Sequence, residues 1–190
     1  KVKDGRLVLP DGMSYRLLVL PENVTLMTPA LVEKIKELVA AGATVLGPRP
    51  TASPSLSGFP QCDDEIAQLA AEIWGDCDGK TMTEHNFGLG KVIWGQPLET
   101  VLRKLQTPPD FTASTQLNWI HRQAGDQQVY FVANEKAGAV EAQCHFRESG
   151  LRPELWNPET GEISSLAMYE KTNGDISLPI HLEASGSAFI

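Results

Sequence analysis

A catalytic cysteine or serine would need a strained turn between a strand and a helix, written G-x-C-x-G or G-x-S-x-G. Such a turn leaves the side chain clear of the backbone and lets a neighbouring N–H bind an oxyanion. Neither pattern occurs in the 190 residues. Cys62 precedes a predicted helix, but it follows a loop and not a strand. The sequence therefore predicts no catalytic cysteine or serine nucleophile of this kind.

Three further patterns could bind a phosphate or a metal. Gly88-Leu89-Gly90-Lys91 precedes a predicted strand instead of opening a helix, so it is interpreted as a turn and not as a phosphate-binding loop. Asp76-Cys77-Asp78-Gly79 resembles the start of a calcium loop but has no glutamate near the twelfth position. The histidines and the widely spaced cysteines show no metal-ligand spacing, and the cysteines are predicted to be free thiols. We predict neither a metal nor a cofactor.

His121 and Arg122 form the most informative polar pair, on a predicted strand beside Trp119. A buried arginine requires a carboxylate partner, because an unpaired buried charge is costly. Two interpretations remain open. The pair belongs to an internal ion pair, or it contacts a ligand or a neighbouring domain.

Four aromatic residues on separate predicted strands could bind a sugar or could pack in a core. They are Trp119, Tyr130, Trp156 and Tyr169. Glycoside hydrolysis needs two carboxylates facing each other across a sugar. Acidic residues are plentiful, but the sequence does not single out such a pair.

The stretch from residue 14 to residue 51 predicts a strand, a helix and a second strand. Arg16 to Leu20 is a short apolar run typical of a buried parallel strand. Thr28 is the predicted cap of a helix that begins at Pro29 and ends near Gly42, and Ala43 to Leu46 is the second strand. The helix is predicted to bury Leu31, Ile35, Leu38 and Val39.

The loop GPRPTASPSL follows the second strand and leaves the predicted sheet at its carboxyl edge, where open α/β sheets place their sites. If the chain contacts substrate in its first half, we expect Arg49, Thr51 and Ser53 to do so. The alternative is a purely structural loop.

The rest of the first half predicts a hairpin around Pro10-Asp11-Gly12, a second helix capped by Asp63 or Asp64, and a third helix opened by Pro97. A short strand is expected at 92–94, and 76–90 is expected to be irregular. Thr107-Pro108-Pro109-Asp110 then interrupts the chain. We predict two domains, 1–107 and 108–190.

The second half shows no helical period. Short strand-like runs alternate with turn signals, which predicts an antiparallel β-sandwich. The runs are 117–122, 128–133, 140–146, 151–156, 164–169, 175–180 and 188–190; the turns include Ala124-Gly125-Asp126, Asn157-Pro158-Glu159-Thr160-Gly161 and Asn173-Gly174.

The composition and net charge argue against some classes of binding partner. The chain is 42% apolar with a mean hydropathy of −0.18, and no apolar run is long enough to cross a bilayer. Its net charge of −8 argues against a nucleic acid or an anionic membrane as the natural partner. Because the sequence starts at Lys1 without methionine, we expect it to be part of a longer polypeptide.

Several long strings resemble the region downstream of the catalytic barrel in bacterial α-L-rhamnosidases of glycoside hydrolase family 106. They are DGRLVLPDGMSYRLLVLPE, VAAGATVLGPRPTASPSLSGFP, WIHRQAGDQQVYFVANE and LWNPETGEI. The resemblance covers nearly the whole chain. It implies an exported multidomain enzyme that acts on rhamnose-containing polysaccharides, with its two catalytic glutamates in a barrel upstream of Lys1. No catalytic residue of the family can be assigned to a position here.

The first half is also similar to the flavodoxin-like or amidotransferase-like domains that follow the barrel in several large glycosidases, which implies a mostly parallel sheet. Only three strands with helical connections are evident, so either 76–90 contains further strands or part of the sheet lies before Lys1. An incomplete sheet would expose an edge that favours a homodimer.

We therefore expect a non-catalytic accessory fragment whose main partner is the upstream barrel of the same chain. The alternative is a carbohydrate-binding module in which the sandwich holds a sugar on Trp119 or Trp156. His121 and Arg122 are further candidates for contact with that sugar.

Overall fold

The structure is a computed structural model that describes residues 1–172 and 174–190. The chain divides into two compact units, residues 1–106 and 107–190. Each unit is described separately below. The predicted turn at Asn173-Gly174 begins at a residue outside the described ranges.

The first unit contains seven strands and three helices among its residues. In chain order they are β1 (Val2–Lys3), β2 (Arg6–Val8), β3 (Ser14–Tyr15), β4 (Leu18–Val19), α1 (Pro29–Ala40), β5 (Thr44–Leu46), α2 (Gln61–Trp74), β6 (Glu84–Phe87), β7 (Gly90–Ile93) and α3 (Leu98–Lys104). The strands form an antiparallel sheet in the order β1-β2-β3 and a mixed sheet in the order β4-β5-β7-β6.

The predicted flavodoxin-like or amidotransferase-like fold with a mostly parallel sheet is wrong. Only β4 with β5 and β5 with β7 pair in parallel, whereas β6 and β7 are antiparallel. The stretch 76–90, predicted to be irregular, supplies β6, and Gly88-Leu89 connects it directly to β7. A two-residue connection can join only antiparallel neighbours, since a parallel pair needs a long crossover. The described chain is therefore mostly β, with largely antiparallel sheets and short helices.

The first predicted strand is also shorter and more exposed than its apolar composition suggests. Arg16 to Leu20 yields only β4, in which Val19 is 47% exposed. Because β4 pairs with β5 on one side alone in the described sheet, it is an edge strand and is not enclosed by neighbours.

Helix α1 begins as the sequence predicts. The Thr28 side chain accepts a hydrogen bond from the Leu31 N–H at 3.4 Å, and Pro29 follows the cap. The buried residues are Val32, Ile35 and Val39, whereas Leu31 is 47% exposed. The buried face of α1 therefore begins at Val32, one residue later than the predicted Leu31.

Helix α2 supplies the largest buried side chain of the first unit. Trp74 is fully buried, and its indole N–H donates to the carbonyl of Gly47 at 3.1 Å. This bond satisfies the only polar atom of the indole inside an apolar core, and it ties the end of α2 to the end of β5. Asp63 is not the cap of α2; its carboxylate accepts the N–H of Ser53 at 2.8 Å.

The second unit consists of strands. In chain order they are β8 (Phe111–Ala113), β9 (Asn118–Ala124), β10 (Gln127–Ala133), β11 (Val140–Phe146), β12 (Glu154–Trp156), β13 (Ile163–Ser165), β14 (Glu170–Thr172), β15 (Asp175–Leu182) and β16 (Ser187–Phe189). They form a five-stranded sheet, β13-β12-β16-β10-β9, and a four-stranded sheet, β14-β15-β11-β8, and every strand pairing recorded for the described residues is antiparallel.

The core of the second unit is built largely by alternation along its strands, most clearly on β11. On β11, Ala142, Cys144 and Phe146 are buried while the residues between them are exposed. Tyr130 and Val132 of the other sheet join the same apolar cluster. The two antiparallel sheets therefore share one core between them.

All three cysteines, Cys62, Cys77 and Cys144, are buried and free. No helix among the described residues is long and apolar enough to cross a membrane.

Close backbone contact at Gly90 gives a first test. A Cβ atom there would lie on the carbonyl oxygens of Val39 and Ala43, which cannot move without disrupting α1 and β5. We expect Gly90→Ala to destabilise the first unit by about 3 kcal/mol. Gly138→Ala is the control, since its Cβ meets no atom within 4 Å, and it should change stability by less than about 0.5 kcal/mol. Urea unfolding that gives both variants the same stability would contradict this packing.

A cluster at β6 gives a second test. Glu84 accepts hydrogen bonds from Lys104 at 2.8 Å, Gln96 at 2.9 Å and Lys91 at 3.1 Å, and these bonds lower its pKa from 4.5 to about 2. Because the folded pKa lies below the unfolded one, the stabilisation is complete above pH 4.5 and is lost as pH falls towards 2.

We expect Glu84→Gln to reduce the loss of unfolding free energy of the first unit as the pH falls from 4.5 towards 2. The measurement is unfolding free energy against pH. Exposed Glu22, for which the described residues show no ion pair, provides the control Glu22→Gln, which should leave that limb unchanged. Equal slopes for Glu84→Gln and the parent chain would refute the role of this cluster.

Candidate functional site

A polar cluster lies at one end of the five-stranded sheet and centres on His121. The register of β9 and β10 places His121 directly opposite Tyr130, and the two rings stack with centroids 4.1 Å apart and an interplanar angle of 8°. The Nδ1 atom of His121 is 3.0 Å from Asp110 Oδ2, and its Nε2 atom is 2.8 Å from Gln128 Oε1. Both ring nitrogens therefore face acceptor oxygens.

Two ionised side chains extend this cluster. Arg147 pairs with the second oxygen of Asp110, and Glu148 accepts a hydrogen bond from the Tyr130 hydroxyl at 3.1 Å. Partial burial tends to raise the pKa of Asp110, but hydrogen bonds from His121 and Arg147 outweigh it and hold the pKa below its usual value. Burial, together with the charge of Glu148, raises the pKa of Tyr130 well above its usual range.

These shifts define what the cluster can do. Asp110 stays ionised and Tyr130 keeps its proton near neutral pH, so neither is poised to exchange a proton with a substrate. The hydrogen bonds and the ion pair of the cluster instead link the segment before β8, strands β9 and β10, and the end of β11.

A cavity of about 390 Å³ adjoins the cluster. Apolar side chains form most of its surface, and the polar or charged lining residues are Asp126, Gln127, Gln128, Tyr130, Glu148, Arg152 and Glu154. Glu148 is held by Tyr130, and Glu154 accepts a hydrogen bond from the indole N–H of Trp156 at 3.2 Å. Sequence reasoning did not identify this cavity.

The structure separates the two tryptophans proposed to bind a sugar. Trp119 pairs with the fully buried Val132, so it lies on the inner face of its sheet, where its ring packs 5.5 Å from that of Phe111 and the residue stays 40% exposed at the sheet edge. Trp156 is 41% exposed and pairs with Phe189, whose own partner Phe131 neighbours Val132 and therefore faces outward. The two indoles lie on opposite faces and do not form one platform.

The other two aromatic candidates are not exposed platforms. Tyr130 is 2% exposed. Tyr169 packs against the core of the second unit, with the Lys171 ammonium 5.5 Å from the centre of its ring.

The predicted His121-Arg122 pair is divided between two environments. His121 joins the cluster, whereas Arg122 is exposed and donates to the carbonyl of His121 at 3.3 Å. The arginine that pairs with a carboxylate is Arg147, which sequence reasoning missed. Asp110 and Arg147 are far apart in the chain, and the antiparallel pairing of β8 with β11 brings them together, with the Arg147 N–H donating to the Asp110 carbonyl at 2.9 Å. No local spacing signals this contact.

Arg49, Thr51 and Ser53, the predicted substrate contacts of the first unit, all lie in the loop after β5. Each of them makes a hydrogen bond to a backbone group of this loop or of a neighbouring segment. Arg49 is half-buried and donates to the Gly75 carbonyl at 3.3 Å, and Thr51 donates to the Thr25 carbonyl at 3.4 Å. The Ser53 hydroxyl accepts the N–H of Ser55 at 3.2 Å. Contact of these residues with substrate stays a prediction.

The Asp78 segment forms a turn. The Asp78 carboxylate accepts the backbone N–H groups of Lys80, Thr81 and Met82 at 2.8 to 2.9 Å. Hydrogen bonds from the Thr81 hydroxyl and these N–H groups hold the pKa of Asp78 far below its usual range. Within residues 1–172 and 174–190, no group of three potential metal ligands is found.

The hydroxyl of Tyr130 allows the structural role of the cluster to be measured. We expect Tyr130→Phe to destabilise the second unit by about 1–2 kcal/mol, because the ring stack survives while Glu148 loses its hydrogen-bond donor. Urea unfolding measures the change. The control is Tyr169→Phe, since the described contacts include no hydrogen bond of the Tyr169 hydroxyl. A cost for Tyr130→Phe no larger than that for Tyr169→Phe would argue against the cluster.

Comparison with known proteins gives consistent matches over most of the chain. Residues 1–171 match the profile of the Glyco_hydro_106 family, described as alpha-L-rhamnosidase. The whole chain is 31% identical to a Formosa agariphila protein named "Putative beta-glucuronidase" and covers 15% of that protein. The structure of the rhamnosidase from Novosphingobium sp. PP1Y superposes with a TM-score of 0.83 and 32% identity, covering 99% of this chain and 18% of the other.

A GH42 beta-galactosidase from G. stearothermophilus matches with a TM-score of 0.53 and 14% identity, over 92% of this chain and 31% of the other, which shows likeness of fold alone. The chain thus spans only a small part of the relatives that it matches. The family match covers well over half of the chain and agrees with the rhamnosidase superposition. On these grounds the chain belongs to the alpha-L-rhamnosidase family, glycoside hydrolase family 106.

Proposed function

We propose that this chain is a non-catalytic accessory part of a larger, exported alpha-L-rhamnosidase-like enzyme that acts on rhamnose-containing polysaccharides. Its partner is the catalytic barrel of the same polypeptide. Membership of the family supports the substrate class. The coverage of 15% and 18% of two relatives supports the view that most of the enzyme lies in other residues.

The observation that carries this proposal is an apolar row across the outer face of the five-stranded sheet. Strand register aligns one residue from each strand: Ile120, Phe131, Phe189, Trp156 and Ile163. Directly paired residues share a face of a sheet, so the five side chains are neighbours. Ile120 is 51% exposed, Trp156 41% and Ile163 53%.

Such a row suits a permanent contact within one protein. An uninterrupted apolar stripe on a sheet face is costly to leave in water, and burial contributes about 25 cal/mol for each Å² of apolar surface removed from water. The row contains no charged residue to orient a polar ligand. An apolar surface on a neighbouring domain is therefore the partner that fits it best.

The carboxylates support a non-catalytic role. Glu148 and Glu154 both line the cavity, but each is held by a neighbouring donor, Tyr130 and Trp156 respectively. Hydrolysis of a glycoside requires one carboxylic acid that can release a proton beside a second carboxylate. A carbohydrate-binding module is not favoured over the accessory role, since Trp119 and Trp156 point to opposite faces.

The test is hydrolysis of an aryl α-L-rhamnoside by the 190-residue chain at high concentration and by a chain extended upstream through the barrel. We expect turnover by the longer chain only, because the reacting carboxylates are proposed to lie in the barrel. Turnover by the short chain that disappears in Glu148→Gln or Glu154→Gln would overturn the proposal.

The apolar row provides the matched variants. Ile120→Lys combined with Ile163→Lys changes only the exposed ends of the row, so the short chain should keep its melting temperature. In the longer chain the same pair should lower the melting temperature by several degrees, since a charged row cannot be buried. Glu159→Lys, at an exposed turn, is the control for added positive charge. A change of mass in the short chain by light scattering would instead assign the row to a homodimer.

A further inference from the structure

The outer face of the four-stranded sheet carries another cavity of the second unit. On β11, Cys144 and Phe146 are buried, so His145 between them points outward. Strand register places Thr112 of β8 beside His145 on that face. A cavity of about 410 Å³ opens here, and its lining residues include Pro108, Pro109, Thr112, His145, Arg147 and Asp175. We refer to it as the outer-face cavity, and all of these residues belong to the second unit.

Arg147 is held in place at this cavity. Its backbone N–H donates to the Asp110 carbonyl at 2.9 Å, and its Nη2 atom pairs with one oxygen of the Asp110 carboxylate. The other oxygen lies 3.0 Å from His121 Nδ1, so Asp110 is itself fixed. A guanidinium has five N–H donors, and the pair with Asp110 uses one nitrogen. Because the Arg147 side chain is 49% exposed, its other donors can bind a ligand in the cavity.

Three further polar side chains add acceptors and donors. The Asp175 carboxylate accepts hydrogen bonds, while the Thr112 hydroxyl and the His145 imidazole can both donate and accept. All three residues are exposed, and across residues 1–172 and 174–190 their side chains make no hydrogen bond or ion pair. Arg147 and Asp175 therefore line one cavity without pairing with each other, which leaves room for a ligand between a fixed donor and an acceptor.

The charges and walls of the cavity favour a neutral ligand. Asp110 neutralises Arg147, and Asp175 adds a negative charge that would repel an anion. The rings of Pro108 and Pro109 supply an apolar wall without backbone N–H donors. The volume lies within the range of about 300–1,000 Å³ that is typical of small-molecule sites. A pyranose fits this combination, because it has an apolar C–H face and a rim of neutral hydroxyls.

We propose that the outer-face cavity is an ancillary binding site for one neutral pyranose unit of a polysaccharide. The Arg147 guanidinium donates to sugar oxygens, and the Asp175 carboxylate accepts from sugar hydroxyls. Thr112 and His145 contact further hydroxyls, while Pro108 packs against the C–H face of the ring.

Such a site suits an accessory role and rests on the proposed function, in which the enzyme acts on a polysaccharide and its active site lies in other residues. One pyranose on an open surface binds weakly, with a dissociation constant of about 1–10 mM. A weak second contact with the same polymer still raises the effective concentration of substrate near the active site. The site is independent of the two tryptophans on the other sheet.

The test is a titration of the ¹⁵N-labelled 190-residue chain with methyl α-L-rhamnoside to about 100 mM, followed by amide chemical shifts. We expect the shift changes to cluster at Thr112, His145, Arg147 and Asp175 and to saturate with one millimolar dissociation constant. Changes centred on Trp119, or no saturable change, would overturn the proposal.

Two variants test the proposed contacts. Asp175→Ala removes the acceptor and should weaken binding by at least about tenfold, since hydrogen bonds to charged groups are the stronger ones. Thr112→Val keeps the shape of an exposed strand residue and should weaken binding about threefold. Glu135→Ala, which removes an exposed carboxylate away from the cavity, is the control and should leave the affinity unchanged. Full affinity in both cavity variants would refute the site.

Glucuronate tests the preference for a neutral sugar. We expect it to bind more weakly than the rhamnoside, because Asp175 repels its carboxylate. Tighter binding of glucuronate would reject the neutral ligand.

The titration needs no hydrolysis, so the two proposals fail separately. Turnover of an aryl rhamnoside by the short chain would overturn the accessory function without removing this site. Unchanged shifts on adding the rhamnoside would remove the site and leave the catalytic role of the barrel intact.

Discussion

The second unit depends on the register between β9, β10 and β16. With a side-chain period of two, this register places Tyr130 and Val132 in the core and Phe131 on the opposite face. A slip of one residue would exchange the faces, turn Phe131 into the core and expose Tyr130 and Val132. The His121 stack and the apolar row both follow from the same alignment, so one constraint fixes a polar cluster and a proposed interaction surface at once.

Local features of the first unit were predictable because their causes are local. The hairpin at Pro10-Asp11-Gly12 and the cap at Thr28 both form as predicted, since turn and cap residues act over three or four positions. Sheet direction was not predictable in the same way. Glu84 to Phe87 is polar and lacks a clear alternating pattern, so the sequence does not predict β6 or its hairpin with β7. This hairpin adds an antiparallel pair to the sheet, and the comparison with parallel flavodoxin-like sheets was therefore wrong.

The polar cluster shows a different limit of sequence reasoning. The expectation that a strand arginine pairs with a carboxylate was physically sound, but it was applied to Arg122 and not to Arg147. Alternation along a strand indicates which residues share a face, yet it does not indicate which face is buried at a sheet edge. The cavity could not be predicted from the sequence either. Its two sides come from β10 and β12, which are distant in the sequence and are neighbours only through β16.

The burial of the three cysteines has a consequence for how the protein can be studied. Burial raises the pKa of the Cys144 thiol to about 12 and also raises that of Cys77, so these two thiols supply little reactive thiolate while the units stay folded, and all three side chains are shielded from reagents by burial. Cys62 and Cys77 belong to the first unit and Cys144 to the second. Alkylating reagents would thus modify each position only when its own unit opens, and peptide mapping of the adducts would report the opening of the two units independently and without any engineered label.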